Sequence, residues 1–282
     1  MNEDFRQLCR LLTPRYGEGE ARAIAFLVME ELAGLTRTDI YAGKDSQFSE
    51  DGRKRFVNTC ERLANGEPVQ YVLGHATFLS RRFRVNSEVL IPRPETEELV
   101  EWAISEARAM HGKEPLRILD AGTGSGCIAI SLQLALPGFE VEAWDISYGA
   151  LLNCMINILN LEAHVSLKKR DMLAPWPKGE MFDLIVSNPP YICQSEEAGM
   201  ERNVLDYEPH LALFVPDTDP LRFYRALARE AMLHLRPGGR LMVEANRAYA
   251  TATADLIRMV GLHDVELRND AFGNPRMVRG VR

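Results

Sequence analysis

The sequence predicts an α/β protein built on a parallel sheet, with a small all-helical region in front of it. Unbroken apolar runs such as 184–186 are typical of strands that are covered on both faces of a parallel sheet. From residue 93 onward such runs alternate with helical patterns, as they do in doubly wound folds. Residues 1–74 show helical periodicity instead.

Composition excludes several classes of protein. The 282 residues suit one large domain or two modest ones. A net charge of −7 argues against a protein that grips nucleic-acid phosphates over a long surface. No apolar run is long enough to span a bilayer, and the residues after Met1 lack the basic start of a signal peptide. The 5 cysteines lack paired spacing and the 6 histidines are scattered, so we expect a cytoplasmic protein with reduced thiols and no metal.

The predicted helical domain covers residues 1–74 and ends at Gly74. Its first helix places four apolar side chains on one face, Phe5, Leu8, Leu11 and Leu12. Ser49 is a suitable N-cap for a later helix that reaches Leu63.

A predicted β-hairpin linker, residues 75–92, follows the helical domain. Its strands are 76–79 and 83–85, and Arg81, Arg82 and Arg84 lie on or beside its turn. These arginines fit either a solvated turn or a docking surface. The predicted catalytic domain, 93–282, then opens with a helix whose first turn contains Pro94 and several acids.

The first strand of the catalytic domain, 116–120, runs into a glycine-rich turn and then a helix that begins at Cys127. The turn consists of Gly122, Thr123, Gly124, Ser125 and Gly126. A strand, a glycine turn and a helix N-terminus together predict a nucleotide-type site. The turn is not a phosphate-binding P-loop, because no Lys-Ser or Lys-Thr follows, and Cys127 replaces the third glycine of a dinucleotide fingerprint.

The next two strand ends add polar groups to the same predicted crevice. Asp145 ends the strand 141–145, about 20 residues after the glycines, where a carboxylate can hold ribose hydroxyls. The alternative is that Asp145 caps the helix that begins beside Ser147. Asp171 and Met172 lie at the end of the following strand.

The turn after strand 182–187 is Asn188, Pro189, Pro190 and Tyr191. Prolines cannot donate to a strand ladder, so the strand stops here and leaves free carbonyls at a crevice edge. The Asn188 side-chain oxygen and the Pro189 carbonyl could accept both protons of a planar NH2 group, against which Tyr191 could pack. The alternative is a strand-ending turn without chemistry.

The rest of the chain continues the alternation. We expect a polar loop as far as His210, and then two helices and three strands: helices 221–235 and 248–260, and strands 240–244, 265–267 and 276–279.

These motifs resemble those of class I S-adenosylmethionine-dependent methyltransferases, and the likeness narrows with three further segments. Residues 68–71, 89–97 and 207–209 with Ala212–Phe214 resemble the HemK/PrmC family of peptide chain release factor glutamine methyltransferases. The resemblance covers nearly the whole chain, and the Ile-Pro-Arg-Pro-Glu-Thr run at 91–96 is its most specific part.

The resemblance implies a seven-stranded, mostly parallel, Rossmann-like methyltransferase sheet, and we expect a monomer. S-adenosyl-L-methionine would lie on the glycine turn, with its ribose on Asp145 and its adenine near Asp171 and Met172. Asn188 would separate cofactor from substrate, with Pro189, Pro190 and Tyr191 binding the substrate. That substrate would be the glutamine N5 of a Gly-Gly-Gln motif in class I release factors, and S-adenosyl-L-homocysteine the product.

Three rival functions remain at this stage. Glutamine methylation of a ribosomal protein would use the same turn. Adenine-N6 methylation of nucleic acid presents a similar NH2 group, but the acidic balance argues against it. A non-catalytic cofactor-binding regulator would bind without turnover. The chain also departs from the family pattern at Pro220, at Ala245-Asn246 and at Met172.

Overall fold

The structure is a computed structural model that describes residues 1–110 and 115–282. The chain divides into two compact units. The first contains Met1–His75 and Glu201–Tyr207, and the second contains Ala76–Met200 and Glu208–Arg282.

The described residues form helices and strands with the following bounds. The α-helices are α1 (Glu3–Ala33), α2 (Arg37–Ala42), α3 (Glu50–Ala64), α4 (Val69–Leu73), α5 (Pro94–Met110), α6 (Cys127–Ala135), α7 (Tyr148–Asn160), α8 (Arg202–Tyr207), α9 (His210–Leu213), α10 (Arg222–His234) and α11 (Ala250–Val260). The strands are β1 (His75–Phe78), β2 (Arg81–Arg84), β3 (Arg117–Ala121), β4 (Glu140–Asp145), β5 (Val165–Lys169), β6 (Phe182–Ser187), β7 (Ile192–Cys193), β8 (Phe214–Val215), β9 (Leu235–Glu244), β10 (His263–Asn269) and β11 (Pro275–Val281).

The first unit is helical, as the sequence predicts. The α1 helix is interrupted at Gly17, which has a φ of 74°. Phe5, Leu8 and Leu12 are buried in its core, but Leu11 is 45% exposed, so that part of the prediction is wrong. Leu11 precedes Leu12 by one residue, and a helix turns about 100° per residue, which carries Leu11 off the core face. Ser49 caps α3 as predicted, its Oγ accepting from the Gly52 N–H at 3.1 Å.

The second unit is organised by a seven-stranded sheet in the order β10-β11-β9-β6-β3-β4-β5. The strands β5, β4, β3, β6 and β9 pair in parallel, and β11 is antiparallel to both of its neighbours. The prediction of a mostly parallel Rossmann-like sheet is confirmed. Because the chain leaves β3 for β4 on one side and later returns to β6 on the other, a crevice is expected at their carboxyl ends.

Apolar runs form the central strands because both faces of the sheet are covered. Ile118 and Leu184 pack in the core on one face, whereas Leu119 and Ile185 pack in the core on the other. Successive residues of a strand point to opposite faces, so an unbroken apolar run fills both cores.

The predicted hairpin forms, with each strand starting one or two residues earlier than expected. Phe78 and Phe83 from its two strands are fully buried in the core of the second unit. The Asn157 side chain of α7 pairs with the Arg84 backbone, accepting from its N–H at 2.7 Å and donating to its carbonyl at 2.9 Å.

The last two strands, β10 and β11, are longer than predicted, since their pairing with each other and with β9 recruits residues whose local pattern is polar. Among the described residues, no helix combines the length and the apolar character needed to cross a membrane.

Candidate active site

A cavity of about 490 Å³ opens beside the carboxyl ends of β3, β4 and β6, a volume typical of small-molecule sites. It lies within the second unit. Most of the residues that the sequence singles out line it: Gly122, Thr123, Gly124, Ser125, Asp145, Asp171, Met172, Asn188 and Pro190. Gly126, Pro189 and Tyr191 are not part of its wall as the structure describes it.

The glycine turn approaches the cavity closely because each of its glycines has a positive φ. A Cβ at Gly122 would stand 2.5 Å from Met172 Cε, and one at Gly126 would stand 2.5 Å from Cys154 Sγ. A Cβ at Gly124 would meet nothing within 4 Å. A side chain at Gly126 would clash with Cys154, and one at Gly122 would require the end of the Met172 side chain to move, whereas Gly124 borders open space along the cavity wall.

Backbone N–H groups hold the Asp145 carboxylate at the carboxyl end of β4. Its Oδ2 accepts from the Gly124 N–H at 2.9 Å, and its Oδ1 accepts from the Ser147 N–H at 2.9 Å. Each oxygen keeps a further lone pair for a ligand. The Ser147 hydroxyl itself caps α7, accepting from the Ala150 N–H at 3.2 Å. Burial raises the pKa of the Asp145 carboxyl above its usual range.

Asp171 and Met172 border the cavity at the end of β5. Asp171 Oδ1 accepts from the Leu173 N–H at 2.8 Å, which shapes the turn. Met172 places its terminal methyl group over Gly122 and so gives the cavity an apolar wall. Such a surface suits a flat heterocyclic ring.

The Asn188 side chain is held by the first turn of α5. Its Nδ2 donates to Thr96 Oγ1 at 3.1 Å, and the Thr96 hydroxyl donates to Glu244 Oε2 at 2.6 Å. Both Asn188 and Thr96 line the cavity. The acceptor side of the amide is thus available at the crevice edge.

Tyr191 lies behind the cavity wall. Its hydroxyl donates to Glu244 Oε1 at 3.0 Å, and its backbone N–H donates to the Leu213 carbonyl at 3.2 Å. Burial, with Glu244 close by, raises the Tyr191 pKa well above its usual value, and burial also raises the pKa of Glu244. The role of Tyr191 at a substrate face stays a prediction.

Two polar residues of this region are absent from the sequence-based set. Glu244 ends β9, which lies parallel to β6 with Val243 opposite Ser187, so its side chain emerges next to Asn188. An acid directly after the apolar run 241–243 was a usable signal. The local pattern around Thr96 gave no such signal, because an acidic helix start is typical of solvated surface, and only the resemblance carried by the run 91–96 marked its segment.

One further buried carboxylate lies below the glycine turn. Asp120 is fully buried, and its Oδ2 accepts from the Thr123 hydroxyl at 2.6 Å and from the Ala129 N–H at 3.1 Å. Burial raises the pKa of Asp120 to about 7. These bonds join the end of β3 to α6 and fix the shape of the turn between them.

The site combines three features. The glycine turn borders open space, the Asp145 carboxylate accepts from two backbone N–H groups, and the Thr96 hydroxyl orients the Asn188 amide. The first two suit a nucleoside, and the third suits an NH2 group. The described residues contain no group of acids, histidines and cysteines that could hold a metal ion.

Two family models match the sequence. The model described as "PrmC N-terminal domain" matches residues 5–74, and "Methyltransferase small domain" matches residues 107–205.

Relatives match along nearly the full length. A release factor glutamine methyltransferase of Bacteroides thetaiotaomicron is 44% identical over 100% of both chains. One of Flavobacterium psychrophilum is 37% identical over 97% of this chain and 96% of its own length. One of Bacillus subtilis is 36% identical over 92% and 90%.

Solved structures share the fold. A Pyrococcus furiosus methyltransferase superposes with a TM-score of 0.52 and 17% identity, over 83% of this chain and 98% of that one. A Thermus thermophilus 16S rRNA methyltransferase, solved with AdoMet and guanosine, has a TM-score of 0.51 and 17% identity, over 74% of this chain and 49% of that one.

Proposed function

This chain belongs to the family of release factor glutamine methyltransferases, and we propose that it methylates the side-chain amide nitrogen (N5) of the glutamine in the Gly-Gly-Gln motif of class I release factors. The methyl donor is S-adenosyl-L-methionine, and S-adenosyl-L-homocysteine is the product. The observation that carries the proposal is the Asn188 amide, held by Thr96 at the edge of a cavity that also contains the glycine turn.

The described residues fit the cofactor. Gly124 borders open space on the cavity wall, and the Asp145 carboxylate retains lone pairs that can accept ribose hydroxyls. Met172 offers an apolar surface for the adenine, and Asp171 lies beside it. When bound, the cofactor supplies a methyl group on a sulfonium, which is a strong leaving group.

The contribution of Asn188 is orientation and charge complementarity. A primary amide nitrogen is a poor nucleophile because its lone pair is delocalised into the carbonyl. An acceptor on its N–H holds the nitrogen in line and stabilises the positive charge that develops there. The Asn188 Oδ1 and the Pro189 carbonyl are proposed as these acceptors, with Pro190 and Tyr191 shaping the turn around the glutamine. A side-chain amide is not a base, so its role is to accept and to orient.

The test is methyl transfer from labelled cofactor to intact release factor by wild-type protein and by Asn188→Ala. We expect the variant to keep its fold and most of its cofactor affinity. Its single-turnover rate falls by about 10²–10³, the usual loss when one preorganised donor or acceptor is removed. Asn188→Asp keeps an acceptor but adds a charge near the sulfonium, so it binds cofactor and transfers slowly. A rate for Asn188→Ala equal to wild type would remove the proposed role of the turn.

The same assay separates the rival functions. Ribosomal proteins, DNA and RNA are offered in parallel with the release factor, each with labelled cofactor. Preferred labelling of a ribosomal protein or of an adenine base replaces the proposed substrate, and cofactor binding without any labelling indicates a regulator. A monomeric state, no direct nucleic-acid contact and a cytoplasmic location stay predictions from the sequence.

We also propose which part of the chain recognises the release factor. Residues 1–74 and the hairpin strands β1 and β2 are not among the residues that line the cavity, whereas residues 87–90 and Pro92 of the linker are. We therefore propose that the helices of residues 1–74 and the two hairpin strands dock the body of the release factor. The match of residues 5–74 to a dedicated N-terminal domain model supports a separate role for them.

A further inference from the structure

One buried carboxylate holds both ends of the turn from Asn188 to Tyr191. Glu244 is 1% exposed and ends β9, next to the strand that leads into this turn. Its Oε2 accepts the Thr96 hydroxyl at 2.6 Å, and its Oε1 accepts the Tyr191 hydroxyl at 3.0 Å. Asn188 lies at the other end of this turn, and its Nδ2 donates to the same Thr96 hydroxyl oxygen.

With Glu244 ionised, so that both of its oxygens accept a hydroxyl, the chain of hydrogen bonds has a fixed direction. Thr96 has a single hydroxyl proton and donates it to the Glu244 carboxylate, so its oxygen can only accept from Asn188. The amide nitrogen of Asn188 therefore faces Thr96, at 3.1 Å. Because the amide is planar, Oδ1 lies on its other arm and is turned away from Thr96. A flipped amide would lose this bond and set Oδ1 against the lone pairs of Thr96.

We propose that Thr96 and Glu244 are positioning residues that act through Asn188, holding its amide so that Oδ1 rather than Nδ2 meets the substrate NH2 group. The inference rests on the proposed function, because a substrate NH2 group needs an acceptor. A flipped Asn188 amide would place its Nδ2 donor against that NH2 group, which is also a donor. Glu244 lies outside the cavity wall and reaches the site only through the hydroxyls that it accepts.

The decisive test is a double-mutant cycle between Thr96→Val and Asn188→Ala. Valine preserves the shape of threonine and removes both the donor and the acceptor. We expect Thr96→Val alone to slow single-turnover methyl transfer by about 10–100-fold, by analogy with the loss when a partner that orients a metal ligand is removed, while the Kd for cofactor stays unchanged. In the Asn188→Ala background the same substitution adds no further loss, because the group that it positions is gone. Losses that multiply in the double variant would mean that Thr96 acts on the ligand directly, and would overturn the proposal.

Two further variants separate positioning from structure. Thr96→Ser keeps the hydroxyl, so we expect it to restore most of the wild-type rate. Thr253→Val is the matched control, since Thr253 is fully buried in α11 of the same unit and its hydroxyl has no hydrogen-bond partner among the described residues. The control leaves the transfer rate unchanged. A Thr96→Ser variant as slow as Thr96→Val would contradict the proposal.

An activity-independent measurement keeps this inference apart from the proposed function. In protein with ¹⁵N-labelled asparagine, the Asn188 NH2 signals are identified by their loss in Asn188→Ala. We expect them to shift and to exchange faster with solvent in Thr96→Val, and to stay near their wild-type positions in Thr96→Ser and Thr253→Val. Unchanged Asn188 signals in Thr96→Val refute the proposed anchoring, even in a folded, active enzyme. Should Thr96→Val fail to fold, Thr96→Ala is measured with the same expectations.

Wild-type protein that binds cofactor but methylates no release factor would instead refute the proposed function. The NMR comparison would still decide whether Thr96 orients the Asn188 amide.

Discussion

Replacing Gly124 by alanine tests whether the open space at the glycine turn is the cofactor site. Gly124 borders the cavity, and a Cβ built on it meets no atom within 4 Å. Its N–H bond to Asp145 survives the substitution, because alanine keeps the backbone donor. The added methyl group therefore acts on whatever occupies the space, and the contacts within the protein stay the same.

The expected cost to stability is small. Gly124 has a φ of 54°, in the left-handed region, where an L side chain costs about 1–2 kcal/mol. The expected loss of cofactor affinity is easier to measure. A methyl group forced into an occupied, close-packed site costs about 1–3 kcal/mol, which corresponds to a roughly 5- to 150-fold weaker Kd.

Gly273→Ala is the matched control for this substitution. Gly273 lies in the same unit, has a φ of 83° and also has open space around a built Cβ, but it is outside the cavity wall. Calorimetric titration with S-adenosyl-L-methionine measures affinity, and chemical denaturation measures the free energy of unfolding. We expect similar stability losses in both variants and weakened binding only in Gly124→Ala. Equal affinity in the two variants would move the cofactor away from the glycine turn.

Of three further predictions, two concern the carboxylate that would hold the cofactor and one concerns the docking surface. Asp145→Ala should weaken cofactor binding, since charge-assisted bonds to the ribose are worth roughly 1.5–3 kcal/mol; calorimetry that finds an unchanged Kd would place the ribose elsewhere. Burial raises the Asp145 pKa, so on acidification this carboxylate is protonated at a higher pH than an ordinary aspartate. A protonated Asp145 loses the charge that strengthens its ribose bonds. We therefore expect cofactor affinity to start falling at a pH that is still above the usual range for aspartate. Replacing Arg82 and Arg84 together by alanine should raise the KM for intact release factor and leave the Kd for cofactor unchanged, as measured by initial rates and calorimetry; an unchanged KM would identify the hairpin as a solvated turn.

The structure explains one departure from the family pattern, the asparagine at position 246. Asn246 donates through Nδ2 to the Tyr191 carbonyl at 3.1 Å and to a Glu196 carboxylate oxygen at 3.0 Å. Its backbone N–H donates to the Tyr224 hydroxyl at 3.3 Å. The side chain thus braces the turn after β6 from outside the cavity. Nothing in the structure explains Pro220.

The sequence alone predicted a parallel sheet, the succession of its strands and helices along the chain, and many of the polar residues at its carboxyl edge, but not Thr96 or Glu244. Apolar runs such as 184–186 can be buried only between two covered faces, and prolines after Asn188 end a strand wherever they occur. These are local properties, so they can be read without knowing the partners of each segment. The glycine turn and Asp145 follow in the same way, because strand ends of a parallel sheet meet at one edge.

Only the tertiary structure decided how the site is held in place. Thr96 and Asn188 are 92 residues apart and Tyr191 and Glu244 are 53 apart, yet one carboxylate joins them. No local pattern marks such a pairing, since it depends on β9 lying next to β6 and on the first turn of α5 reaching their ends. The same cause gives the Tyr191 hydroxyl its partner, because the buried Glu244 supplies the acceptor that it requires, while the role of Tyr191 at the substrate face stays a prediction.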